Sequence, residues 1–139
     1  MNADNRLDIT PLCNAVHRLQ EGLARYQQNV DDLQIRDGLI QRFEFTYEIS
    51  HKMLKRYLEF SSPDPTIFDG MNFQDLIRSG NEKGVLLGSW GEWRTYRDMR
   101  SRTSHSYDEH IALQVVEGIP AFLQEALFLK NSLENRLND

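Results

Sequence analysis

Apolar residues recur at helical spacing along almost the whole chain, and no stretch alternates apolar and polar residues as a half-buried strand would. Leu12, Val16, Leu19, Leu23, Tyr26 and Val30 are separated by four and three residues in turn, which places them on one stripe of a helix packed in a bundle. Thr10-Pro11 predicts its start, with Thr10 as N-cap and Pro11 in the first turn. A second helix is expected from about Asp37 to Phe60. Ile40, Phe43, Tyr47, Leu54 and Leu58 form one face of it, and Phe45, Ile49 and Met53 form another. That is more apolar surface than one neighbouring helix covers, so the pattern points to a homodimer.

Ser61-Ser62-Pro63-Asp64-Pro65 ends the second helix, because each proline disfavours helical geometry in the residue before it. A short third helix is predicted from about Asn72 to Glu82, closing at Lys83-Gly84. Ser89-Trp90-Gly91-Glu92 reads as a capping box that starts a fourth helix. Ser106-Tyr107-Asp108-Glu109 reads as a second one, so the last helix is expected to begin just after Ser106 and run to about Leu137, kinked at Pro120. The predicted fold is all-α: an up-and-down bundle of four long helices plus one short helix, homodimeric.

With 139 residues the chain is one domain by size, spanning 1–139. Its 40% hydrophobic and 27% charged residues are those of a globular protein, and no apolar run approaches the roughly 20 residues that span a bilayer. Met1 to Arg6 lack the apolar stretch of a secretory signal, and the single cysteine, Cys13, cannot form an internal disulfide. A cytoplasmic location is expected. The net charge of −5 argues against a general nucleic-acid coat, which needs excess Lys and Arg to neutralise phosphates. The exception is Trp90 to Tyr107, where Arg94, Arg97, Arg100 and Arg102 outnumber Glu92 and Asp98 by four to two.

That basic stretch also holds the chemistry. Arg100 can neutralise phosphoryl oxygens through paired hydrogen bonds, and His105 can move protons near neutral pH. The two caps predict Arg100 near the end of the fourth helix, His105 immediately before the N-cap of the fifth, and Tyr107 in its first turn. Free amides at such a helix start attract phosphate. Arg97 and Arg100 share a face with Trp93 and Tyr96, either as a base-stacking platform or as arginine stems laid over an aromatic core edge. Arg97 is a candidate phosphate ligand or ion-pair partner. Arg102 reads as a solvated charge. Ser104 is a candidate phosphate ligand or a serine serving the backbone of a turn.

Arg100, His105 and Tyr107 fit the R-x4-H-x-Y signature of the HEPN (higher eukaryotes and prokaryotes nucleotide-binding) domain. With Leu19-Gln20-Glu21-Gly22-Leu23, the run Gln41 to Glu48, the segment Trp93 to Tyr107 and the late Ile119-Pro120, the chain resembles the "nucleotidyltransferase substrate-binding" branch, also described as the toxin of a toxin–antitoxin pair. One departure is His51, where relatives tend to carry tryptophan. The resemblance implies a homodimer in which the motif turns of two protomers form a composite cleft, and a minimal nucleotidyltransferase as partner. It further implies a metal-independent endoribonuclease, with His105 as general base or acid and Arg100 stabilising charge on phosphorus. Tyr107 would bind substrate or accept adenylyl groups from the partner. The alternative is a non-catalytic subunit that supplies nucleotide or substrate recognition to the transferase.

Other candidates carry less. Glu44 and Glu48 share a helical face and could offer two carboxylates to a metal, but no Asp, Glu or His of matching spacing completes the set. Glu48 with Lys52 reads as an ordinary ion pair, and Glu44 as a group that orients an arginine of the motif. Cys13 reads as a small apolar core residue, and His17, His51 and His110 as surface or packing histidines. There is no Gly-rich phosphate loop, zinc pattern or G-x-S-x-G elbow, so neither cofactor nor metal is expected. The expected partners are the nucleotidyltransferase, RNA or nucleotide, and a second copy, but not DNA or a membrane.

Overall fold

The computed structural model describes residues 7–138, all-helical and without strands among them; the expectation drawn from Met1 to Arg6 lies outside the described residues. Five α-helices follow in order: α1 Thr10–Gln28, α2 Leu33–Phe60, α3 Phe73–Glu82, α4 Trp90–Arg102 and α5 Glu109–Leu137. Two short 3-10 turns, Pro65–Phe68 and Thr103–His105, join α2 to α3 and α4 to α5.

Each boundary has a local cause. Pro11 lies in the first turn of α1 as expected, but Thr10 is already helical, and its backbone N–H is satisfied by Asp8 at 2.9 Å. Val30 lies beyond the end of α1 and is exposed, so the predicted stripe stops at Tyr26. α2 starts four residues earlier than expected because the Asp32 carboxylate accepts from the amides of Gln34 (2.9 Å) and Ile35 (3.1 Å), a cap worth about 1 kcal/mol. Asn72 caps α3 in the same way, and Gly84 closes it at φ +77°, a conformation glycine adopts without penalty. At α4 the Glu92 carboxylate accepts from both the amide and the hydroxyl of Ser89, the half of the capping box supplied by the acid.

The core lies where α1, α2, α4 and α5 meet. Leu12, Val16 and Leu19 of α1, and Leu39, Ile40, Phe43, Leu54 and Leu58 of α2, are almost wholly buried. Phe122 of α5 stands at the centre of an aromatic cluster, edge-on to Phe43 (5.0 Å), Tyr96 (5.3 Å) and Trp93 (6.2 Å). Such edge-to-face pairs add roughly 0.5–1.5 kcal/mol each beyond their burial. Burial pushes the phenols of Tyr47 and Tyr96 up to about 12. The second face of α2 is only partly covered: Met53 is buried, Ile49 is half-buried and Phe45 is 59% exposed.

α5 is the spine of the bundle and runs through Pro120 without a break. By length and composition it is long and apolar enough to cross a membrane, contrary to the expectation that no segment comes close. One apolar face of it packs on the other helices, with Ala112, Val115, Ile119, Phe122, Ala126, Leu129 and Leu133 buried, while Leu113 and Phe128 are exposed. At Gly118 α5 lets α4 pack closely, since a Cβ there would meet Met99 Sδ at 2.6 Å.

One polar anchor inside the bundle positions α4. The Glu125 carboxylate is 1% exposed and accepts from the amides of Leu87 and Gly88, each at 2.7 Å. It thereby fixes the loop from which α4 departs. Burial raises its pKa against the pull of those two amide bonds.

Candidate functional site

α4 delivers the motif by burying Trp93, Tyr96 and Met99 against the aromatic cluster, which turns Arg94, Arg97 and Arg100 outward. Arg100 is the most constrained of these. Its Nε donates to Glu48 Oε1 at 2.9 Å, its Nη1 donates to the Thr103 hydroxyl at 3.1 Å, and Glu44 Oε2 lies 3.5 Å from Nη1. Thr103, 4% exposed, donates in turn to the Arg100 carbonyl at 2.7 Å. Glu44 thus orients the motif arginine, as its place on α2 suggested. Glu48 does the same, instead of pairing with Lys52. Each of these partly exposed pairs is worth at most about 1 kcal/mol of stability, so their main effect is to fix the guanidinium in one orientation.

The turn that follows differs from expectation. Asp108, not Ser106, is the N-cap of α5: its carboxylate accepts from the amides of His110 (2.9 Å) and Ile111 (3.2 Å). The backbone explains the difference, because Ser106 is helical (φ −70°, ψ −6°) whereas Asp108 has the extended conformation an N-cap requires (φ −78°, ψ 120°). Glu109, expected to reach back to Ser106, instead pairs with the buried Arg36 of α2. His105 therefore ends a 3-10 turn three residues before the cap, and Tyr107 precedes α5 rather than lying in its first turn. Asp108 already occupies the amides of His110 and Ile111, so these two are not open to a phosphate.

His105 and Tyr107 are both exposed, Tyr107 to 86%, and their rings stand 6.1 Å apart at 67°. The turn beneath them is closed by backbone bonds from Ser106 to Thr103 and from Asp108 to His105. Ser104 is exposed and donates to the Ser101 carbonyl at 3.1 Å, which is the backbone role. Arg97 lies over the Trp90 ring, 4.9 Å from its centroid, rather than in an ion pair with a described residue. Trp93 is core.

Among the described residues no group of three His, Cys, Asp or Glu side chains is placed to hold a metal ion. Cys13 is half-buried and donates to Glu134 Oε1 at 3.3 Å; burial first, and then the neighbouring carboxylate, push its thiol pKa up, away from nucleophilic character. His51 packs edge-on against Phe73 at 4.6 Å, and burial lowers its pKa.

The family described as "nucleotidyltransferase substrate binding protein like" matches residues 7–135. The chain belongs to this family. It is 41% identical, over 99 residues that make up 71% of this chain and 67% of the relative, to a Haemophilus influenzae protein named "probable ribonuclease HepT". It also matches a solved Haemophilus influenzae structure, described as the fold of a substrate binding domain of a nucleotidyltransferase, with a TM-score of 0.84 and 32% identity over 91% of this chain and 99% of that one. The nucleotidyltransferase substrate-binding fold thus sets Arg100 on a two-carboxylate mount and leaves His105 and Tyr107 open to solvent.

Three contributors to this arrangement escaped the sequence reading. Thr103 and Arg36 carry no periodic signal, because their roles rest on residues that are distant along the chain or become neighbours only in the turn. Asp108 was passed over because Ser106 with Glu109 fits the capping-box pattern at the same place.

Proposed function

We propose that the chain is the ribonuclease member of a toxin–antitoxin pair with a minimal nucleotidyltransferase, acting in the cytoplasm and cutting RNA without a metal at the Arg100, His105 and Tyr107 turn. The observation that carries this reading is the contrast within the motif: the guanidinium of Arg100 is held by Glu44, Glu48 and Thr103, while the imidazole of His105 and the phenol of Tyr107, on the turn that follows, are exposed with their rings 6.1 Å apart. A cation for the phosphate and an accessible proton carrier are two groups that strand cleavage uses.

In the proposed reaction His105 takes the proton of a ribose 2′-hydroxyl, and the resulting oxygen attacks the adjacent phosphorus. The bond to the 5′-oxygen breaks, leaving a cyclic phosphate on one fragment and, once that oxygen is protonated, a 5′-hydroxyl on the other. Arg100 balances the charge that builds on the non-bridging oxygens, moving from Glu48 toward the phosphate as it does so. A second copy facing the turn would complete the cleft, and the exposed Phe45 of α2 is apolar surface suited to such a contact. Tyr107, 86% exposed, is the acceptor of adenylyl groups from the partner, whose phosphates would occupy the site and stop cleavage. The test is purified wild type against His105→Ala with structured RNA in EDTA. Cleavage by the wild type alone supports the reading, and equal cleavage by both refutes it.

A second reading has its own support. The similar solved structure is described as a substrate binding domain, and Arg100 is already compensated by two carboxylates, as befits a group that binds without catalysing. Wild type that leaves RNA intact but is stabilised against heat by a mononucleotide would favour this binding subunit.

A further inference from the structure

Beside the motif turn, the outer face of α4 carries an open groove of about 670 Å³ lined by Gly91, Arg94, Thr95, Arg97, Asp98 and Ser101. Nothing in the chemistry of the motif uses it. Arg94 and Arg97 are exposed, and among the described residues neither is engaged in an ion pair, although the protein as a whole is acidic. Asp98 is the one carboxylate in the lining. Arg97 is laid over Trp90, with its guanidinium carbon 4.9 Å from the ring centroid, and that ring is itself packed edge-on against Phe73 at 5.8 Å, so an aromatic ring backs this exposed guanidinium. Arg94 and Ser101 lie about 10 Å apart along the helix at 1.5 Å per residue, and α4 leads directly into the 3-10 turn that ends at His105.

We propose that this groove is a second subsite that takes single-stranded RNA running away from the cleavage turn. Arg94 holds a backbone phosphate, and the guanidinium of Arg97, backed by Trp90, stacks on a base. The inference rests on the reading of the motif turn as an RNA site and adds what selects the substrate: an unpaired flank long enough to reach along α4. A duplex cannot splay a base onto Arg97 and makes only the phosphate contact.

Gly91 gives a clean perturbation. A Cβ at this position meets nothing within 4 Å, and a carboxylate in the first turn of α4 is favoured by the helix N-terminus, so Gly91→Glu fills the groove with negative charge and preserves the fold. The background is His105→Ala, which prevents cleavage during the measurement. Binding of a labelled single-stranded RNA of about ten nucleotides, of the length such strand-tracking sites accept, is followed by fluorescence anisotropy across a salt series. Gly91→Glu and Arg94→Ala should each weaken binding by roughly tenfold and flatten the log–log salt slope by about 0.7 for a lost phosphate contact. Arg97→Ala should weaken binding with a smaller change of slope. A His105→Ala parent that binds, with Gly91→Glu and Arg94→Ala unchanged in affinity and slope, overturns the groove alone. A parent that binds no RNA overturns the groove and the RNA reading together. Wild type that binds through the groove and cuts nothing refutes cleavage while leaving the groove standing.

Discussion

Replacing Glu125 by Gln tests how α4, and with it the motif arginine, is held in register. The side chain keeps its shape, but a carboxylate with two acceptor oxygens becomes an amide with one acceptor and an N–H2 group. In the native protein both oxygens accept 2.7 Å bonds from the amides of Leu87 and Gly88 at a site 1% exposed. One of those amides must therefore face another donor. A charge-assisted bond of this kind is worth about 1.5–3 kcal/mol. Relief of the buried charge offsets part of this, which leaves a loss of about 1–2 kcal/mol, or a fall in melting temperature of roughly 3–10 °C for a domain of this size. Thermal unfolding followed by circular dichroism at neutral pH reads it directly. The pH dependence adds a sign. Because burial raises the folded pKa of Glu125 above its unfolded value, its contribution is fully present below the unfolded value and is lost as pH rises through the folded one. The stability gap between wild type and the Glu125→Gln variant should therefore narrow as pH rises above about 4.5. An unchanged melting temperature would show that Leu87 and Gly88 do not depend on this carboxylate. A gap that widens with pH would show that the amide bonds outweigh burial.

Phe122→Ala should cost about 3–5 kcal/mol in denaturant unfolding, since it empties the centre of the aromatic cluster that Phe43, Trp93 and Tyr96 close around. Asp108→Ala should lose about 1 kcal/mol by removing the cap of α5, whereas Ser106→Ala should change stability little, and the reverse order would contradict the observed cap. Glu48→Gln frees Arg100 from its closer carboxylate and should raise the affinity of the His105→Ala protein for RNA about two- to fivefold, as expected for release of a surface pair; weaker binding would mean that Glu48 is needed to aim the guanidinium. Co-expression with the nucleotidyltransferase should add adenylyl mass to wild type and not to Tyr107→Phe, and an adduct of equal abundance on both would exclude Tyr107 as acceptor.

The helical identity of every major segment was already determined by the chain, because the period of apolar residues is local and each of Leu12, Val16 and Leu19, or Phe43, Tyr47 and Leu54, repeats often enough to leave no other element. The same holds for the stop at Pro63 and Pro65, the close of α3 at Gly84, and the acid-supplied cap of α4 at Glu92. The residue types of the motif were legible too, since Arg, His and Tyr at those offsets stand out in an acidic chain whose basic residues otherwise lie scattered. Tertiary structure alone decided where the last helix begins. Ser106 and Asp108 both qualify as caps by residue type, and the choice fell to Asp108 once Glu109 found Arg36, a partner 73 positions away. It alone set Glu48 against Arg100 rather than Lys52, because helical spacing specifies which side chains can meet on one helix and says nothing of the helix that packs across from it. The groove along α4 belongs to this second class. Its arginines are plain in the sequence, but that they stay unpaired and face outward follows from which side of α4 the aromatic cluster buries.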